Sequence, residues 1–381
     1  MRLSTELETA IGNKGEQGRG RTVAAILIVL VMLVLLYRNR AELLQGIALA
    51  RTARPFWLLA AFATTMFSYL ISSQVFRMVL QSLGHRSGVV RLWGTAVTAI
   101  VISQAIPAGA VGSYAFLMAS FKRRGVPAAQ AAAIAAYEAL SYVGAMLLIA
   151  SFSLVYLGAH ALSAGGSTRS PLTTLMAGLI ALSLLGIVAF ILTRSEATLT
   201  RGLQAIATTL TRLTGRGGAA SWIPTLVKEF LNARQLVVTH TRMLGLLVVI
   251  QLLALSGHSL ALLLVLKSLG VTTNFEVALT AFGFALITST VNVLPGGGGT
   301  VETVLATVLT RLAIGPEAIP VSILFRLLNF WALLPLAFAG YRWLMRRKQH
   351  ASRPLFVEMG VEGVAQAVTD EGKAQHGGGN Q

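Results

Sequence analysis

LPGGGG, residues 294–299, stands between two strongly apolar stretches and decides how the chain is read, because no helix runs undisturbed through a proline and four glycines. A sparser version, IPAG, occupies residues 106–109. Inside a bilayer a non-helical backbone leaves N–H and C=O groups unpaired at several kcal/mol each, so it persists only where protein or a watery cavity satisfies it. Two breaks of this kind predict a substrate pocket within the membrane.

The bilayer itself follows from composition. Of 381 residues, 55% are hydrophobic and 12% charged, and several apolar runs exceed the roughly 18 residues that mark a membrane span. The expected fold is an all-α integral membrane protein, a polytopic helical bundle of about seven long spans plus two short or re-entrant helices. Long runs at 55–78, 128–157, 243–266 and 319–344 are among the spans. The short pieces 110–121 and 301–312 reach about 18 Å each, too little for a hydrocarbon core of about 30 Å.

Charge and cysteine usage exclude several classes. Lys and Arg number 31 against 14 Asp and Glu, a net charge of +17. In a soluble protein that excess would point to nucleic acid; here the basic residues gather at the ends of apolar runs, so topology and anionic lipid account for them and no nucleic-acid partner is expected. Without cysteine there is no disulfide, thiolate catalysis or Cys-based metal site. The first apolar run, 23–37, has no small-residue cleavage site after it and reads as a retained helix.

The divisions expected are a polar tail at 1–20, a first transmembrane half at 21–193 that closes with a span at 172–193, a basic amphipathic cytoplasmic segment at 194–242, a second transmembrane half at 243–347 and a disordered tail at 348–381. The halves look like copies. The register that lays Pro107 on Pro295 also lays Gly109 on Gly297, Leu117 on Leu305, Arg123 on Arg311 and Glu138 on Arg326. Each copy reads as a long helix, a break, a short helix, a turn and a second long helix, and internal repeats of this kind are expected of transporter folds. Placing the basic blocks Lys122–Arg123–Arg124, 194–242 and Arg342–Arg346–Arg347–Lys348 in the cytoplasm puts the two breaks near opposite faces, an inverted repeat. Arg38, Arg40, Arg51 and Arg54 then fall outside against the rule, unless the N-terminus is outside or residues 40–53 form an interfacial helix.

At the second break, successive glycines leave bare backbone N–H groups and admit positive φ, while Thr300–Val301–Glu302 starts a helix whose positive end faces the same spot. An anion is favoured there, or Glu302 fills that place itself as a cap. Glu138 and Arg326 are lone charges within apolar segments, where a charge costs at least ~2.5–3.5 kcal/mol and faces a cavity or a partner. Their expected partners are each other, Glu302 or a lipid phosphate, and Arg326 suits a phosphate because its planar fork donates two parallel hydrogen bonds. Gln104, Asn292 and Asn329 add uncharged donors, and His258 reads as a core histidine.

These residues carry a resemblance. LPGGGGTVE, followed by a Gly-Pro turn and ILFRLLNFW at 323–331, is similar to the signature of the flippase-like, lysylphosphatidylglycerol-synthase transmembrane family, and IPAGAVGSYAF with KRRGVP and YEAL resembles its weaker first copy. The likeness covers roughly residues 20–347. It implies a multi-pass inner-membrane protein that moves or supplies lipids across the plasma membrane, including aminoacylated, isoprenoid-linked or hopanoid-type lipids in different members. By the motif match Pro295, Gly296, Gly297, Gly299, Glu302 and Arg326 carry over; Gly298 and Thr300 stand where the family usually has apolar residues. The residues expected to bind lipid are these six together with Pro107, Gly109, Glu138 and Asn292. Synthases of the family carry a large soluble C-terminal domain, and this chain stops about 35 residues after its last span, so a transporter is expected in place of an enzyme.

The alternatives belong to other classes. GGGGTVE lacks the Lys-Ser/Thr of a nucleotide-binding loop, and no HExxH, GxSxG or Asp-rich metal motif occurs, so no cofactor and no metal are expected. Glu138 and Glu302 as an acid–base pair would make a membrane transferase acting on a lipid-linked donor. An accessory subunit of a lipid-modifying enzyme is the third reading. The partners expected are membrane lipids, with such an enzyme as the protein partner under the last reading.

Overall fold

The computed structural model describes residue 37 and residues 40–105, 109–163, 241–291 and 299–346. Among these there is no strand. The helices are α1 (Arg40–Thr52), α2 (Pro55–Ser82), α3 (Val89–Ala105), α4 (Gly109–Lys122), α5 (Ala128–Ser163), α6 (Thr241–Ser268), α7 (Phe275–Val291), α8 (Thr300–Arg311) and α9 (Ala318–Arg326); a π-helical segment, Leu327–Trp331, joins α9 to α10 (Leu333–Arg346). The predicted span 23–37 up to residue 36, the span 172–193, most of the amphipathic segment 194–242 and both tails lie outside the described residues.

Four stretches are long and apolar enough to cross a bilayer among the described residues: Pro55–Ser82, Ala128–His160, Thr241–Ser268 and Ala318–Leu344. The protein is a helical, multi-pass membrane protein. α2 and α6 have 28 residues each, about 42 Å of helix against a core of about 30 Å. α3 and α7, the helices entering the breaks, have 17 residues each and reach only about 25 Å. α1, expected as a possible interfacial piece, is a 13-residue helix that lies on α9 where Gly46 approaches Ile323 and Leu327.

The short helices fold back on the helices before them. Arg124, in the turn after α4, reaches Thr95 in the first half of α3, so α4 returns along α3 toward the end from which α3 started. α7 and α8 pack on one another likewise, and Val277, Leu309 and Leu312 share one buried cluster.

The two halves end their helices in the same way. α2 stops at Ser82-Leu83-Gly84, with Gly84 N–H donating to Gln81 O at 3.1 Å and His85 N–H to Leu80 O at 2.8 Å; α6 stops at Ser268-Leu269-Gly270, with Gly270 N–H on Lys267 O at 3.1 Å and Val271 N–H on Leu266 O at 3.0 Å. Both glycines have positive φ, 79° and 82°, as this terminus requires. α4 and α8 share another ending, in which Val126 N–H meets Phe121 O and Ile314 N–H meets Leu309 O.

Packing is exchanged between the halves. α2 runs along α6, α3 runs along α10, and α7 runs along α5. Where α3 crosses α10, Gly340 faces Thr98; where α7 crosses α5, Gly283 faces Ser153 so closely that a β-carbon would stand on its hydroxyl. α2 and α6 are antiparallel, since Arg54 N–H, just before α2, donates to Ser268 O at the end of α6 at 2.9 Å, while Ser72 donates to Gln251 at 3.0 Å further along. The two hairpins therefore enter the bundle from opposite ends.

Candidate functional site

Arg326 ends α9, and it is 8% exposed although charged. Its Nε lies 2.7 Å from Glu302 Oε1. The N–H is not aligned on that oxygen as a hydrogen bond, so the contact is a charge pair first. Nη1 donates to Gln104 Oε1 at 3.2 Å, and the guanidinium carbon stands 4.4 Å over the Phe330 ring. A cation over an aromatic face gains more when desolvated, as here.

Each partner is placed by a different element. Glu302 is the third residue of α8, whose first turn follows Gly299 at φ 81°, a left-handed conformation that glycine adopts without strain. The positive end of the α8 dipole favours the carboxylate. Among the described residues nothing donates a hydrogen bond to Glu302, so it serves as the counter-charge of Arg326 and not as a cap. Gln104 is the next-to-last residue of α3, just before the first break. One guanidinium thus links the helix entering the first break to the helix leaving the second.

The π-helical segment directly after Arg326 sharpens this arrangement. Ala332 N–H donates to Leu327 O at 2.8 Å, five residues back, and such bulges in long helices re-aim side chains at functional sites. Asn329 within it accepts from the Tyr69 hydroxyl at 3.2 Å. Tyr142 and Glu138 both lie on α5, one helical turn apart. Glu138 is half-buried on α5, and the carboxylate set against Arg326 is Glu302.

Of the other sequence-predicted residues, Gly109 opens α4 and Gly299 precedes α8. Pro107, Asn292, Pro295, Gly296 and Gly297 lie outside the described residues. His258 is buried between the rings of Tyr69, at 4.7 Å, and Phe282, at 6.0 Å, as a core histidine. Tyr69 and Tyr142 escaped the sequence reading because one tyrosine in an apolar helix is ordinary packing material; the π segment leaves no composition signal.

A buried Arg-Glu pair next to glycine breaks, in a bundle with short returning hairpins, is consistent with a lipid-handling membrane domain. The family model for the lysylphosphatidylglycerol synthase TM region matches residues 22–337. The chain belongs to that family. Membership in the lysylphosphatidylglycerol synthase TM family makes it a multi-pass membrane protein connected with lipid metabolism. A search of curated proteins gave no match. The match spans both breaks, Glu302 and Arg326, so the polar cluster lies wholly within the family region.

Proposed function

We propose that this protein translocates a lipid with an anionic headgroup across the plasma membrane, as a flippase-like transporter built from two inverted copies of one unit. The observation that carries the reading is the double tie of Arg326 to Gln104 before the first break and to Glu302 after the second. A lipid phosphate competes with Glu302 for the same guanidinium, because both offer the oxygens that a planar fork takes in pairs. Binding of the headgroup then loosens the link between α8 and α9, and with it the contact between the two hairpins. The matched helix lengths, the shared helix endings and the exchanged packing support the duplication. Opposed entry of the hairpins supports its inversion, the arrangement in which substrates bind near the bilayer midplane between the repeats.

The test is translocation in proteoliposomes. Fluorescently labelled phosphatidylglycerol in the inner leaflet should become accessible to an external quencher faster with the wild-type protein than in protein-free vesicles, and Arg326→Gln should abolish the gain while the protein remains folded. Undiminished translocation by Arg326→Gln at equal protein per vesicle would overturn the reading.

A further inference from the structure

A second cationic feature lies away from Arg326, at the end of the bundle where α3 begins and α4 finishes. Arg124 donates through Nη2 to Thr95 Oγ1 at 2.5 Å and to Ser120 Oγ at 3.0 Å, and its guanidinium carbon lies 5.2 Å over the Phe121 ring. Its Nη1 is buried without a hydrogen-bond partner. Arg91 is one turn before Thr95 on the same face of α3, and the Thr95 hydroxyl donates to its carbonyl at 2.7 Å. None of the described carboxylates pairs with Arg124. Burial first, and Arg91 second, hold Arg124 below its ordinary range, at about 10. It is therefore charged at neutral pH and short of a counter-ion.

The other half of the molecule indicates what the fold needs here. In the register that lays Ser82 on Ser268, Arg91 falls on Val277 and Thr95 on Ala281; in the register that lays Pro107 on Pro295, Arg124 falls on Leu312. Val277, Ala281 and Leu312 are 7%, 0% and 4% exposed and belong to one apolar cluster. An apolar plug thus closes this corner in one half, while the other half spends two cations and a hydroxyl on it. The general preference for positive charge on the cytoplasmic side explains exposed Lys122 and Arg86. It does not explain a guanidinium turned inward onto Thr95 and Ser120.

We propose that Arg124, held in place by the Thr95 hydroxyl, forms with Arg91 a phosphate-binding site, filled by a phospholipid headgroup or by free phosphate. A guanidinium with a buried, unpartnered Nη1, one helical turn from a second arginine, suits an oxyanion, and charge-assisted bonds to phosphate are about twice as strong as neutral ones. Trp343, on α10, lies against Gly94 next to Thr95 and is partly exposed, and tryptophan of this kind favours the membrane interface. The site uses the correspondence of the two halves but not the translocation reading, so either can fail alone.

The experiment is native mass spectrometry of the full-length protein in detergent, titrated with dioleoyl phosphatidylglycerol. The triple variant R91V/T95A/R124L, which installs the residues of the second half, should keep the wild-type unfolding temperature and bind the tightest phosphatidylglycerol about tenfold more weakly or worse. Controls R86A and K122A remove exposed charge from the same end and should leave that binding within about twofold. Excess inorganic phosphate that displaces the lipid identifies a site open to free phosphate, and lack of displacement identifies one that needs the whole headgroup; both support the proposal. Should the triple variant fail to fold, R124K keeps the charge without the fork and should show a severalfold loss. Unchanged binding in the triple variant or in R124K, or an equal loss in the controls, overturns the site.

Discussion

Arg326 is held by opposing terms. Taking a guanidinium and a carboxylate out of water costs several kcal/mol per ion, and their attraction repays this only with good geometry and further hydrogen bonds. Here Gln104 and the Phe330 face supply part of the remainder, while the Glu302 oxygens accept no aligned bond from the described residues. The pair is therefore tight in distance and incomplete in hydrogen bonding, which suits a carboxylate that gives up its partner to a ligand. Removing one member should be worse than removing both. Arg326→Met alone and Glu302→Gln alone are each expected to destabilise by about 3–5 kcal/mol, and the double variant by clearly less than their sum; thermal unfolding of the four proteins in one detergent measures the coupling, and additive losses would show that the pair carries none. Sequence alone isolates Arg326 and Glu302, since a charge in an apolar run is conspicuous. Their pairing depends on how α8 approaches α9, and no spacing in the chain encodes that; Glu138 matched Arg326 in register but lies on α5, one turn before Tyr142.

Helix endings carry much of what was legible at the scale of elements. Apolar length located α2 and α6 closely and the start of α5, whose end at Ser163 lies beyond the expected 157, and the Pro/Gly breaks bounded α3, α4, α7 and α8 because neither residue propagates a helix. The π segment had no such marker, since LLNFW is good helical sequence and only packing decides its wider turn. Two element-level consequences can be measured. Ala313 has φ 65° at the place where the first half has Gly125 at φ 83°, and left-handed backbone costs a residue with a β-carbon about 1–2 kcal/mol. Ala313→Gly should therefore raise the unfolding temperature, offset in part by the greater freedom of glycine in the unfolded chain; a lower temperature would show that the Ala313 methyl contributes packing that outweighs the strain. Gly283, against Ser153 and Ile149, leaves no room for a larger side chain where α7 crosses α5. Gly283→Val should destabilise by about 1–3 kcal/mol, whereas Gly245→Val, at a helical position with open space around it, should cost less than about 1 kcal/mol.

For the whole molecule, the informative relation is between the ends of α2 and α6. Both have 28 residues, both finish in Ser-Leu-Gly, and the contact of Arg54 N–H with Ser268 O sets the end of one beside the start of the other. If both cross the bilayer, the turns that follow them must emerge on opposite sides, which is the defining property of inverted copies. Charge leans the same way, with Arg86, Arg91, Lys122, Arg123, Arg124 and Arg342 at the end where α2 finishes, the side expected to be cytoplasmic, against Arg51, Arg54, Lys267 and Arg311 at the other. The absence of cysteine makes the arrangement directly testable by single-cysteine labelling in intact cells with a membrane-impermeant maleimide. Arg86→Cys and Lys122→Cys flank the first hairpin at exposed positions, and Thr272→Cys and Arg311→Cys flank the second. The latter two should label from outside, and the former two only after the membrane is permeabilised. Within each hairpin the two positions should behave alike, because α4 returns to the end from which α3 started and α8 does the same for α7. Labelling of all four from one side would rule out inversion, and the link that Arg326 makes between the hairpins would then join two elements inserted from the same face, with no midplane pocket between opposed repeats.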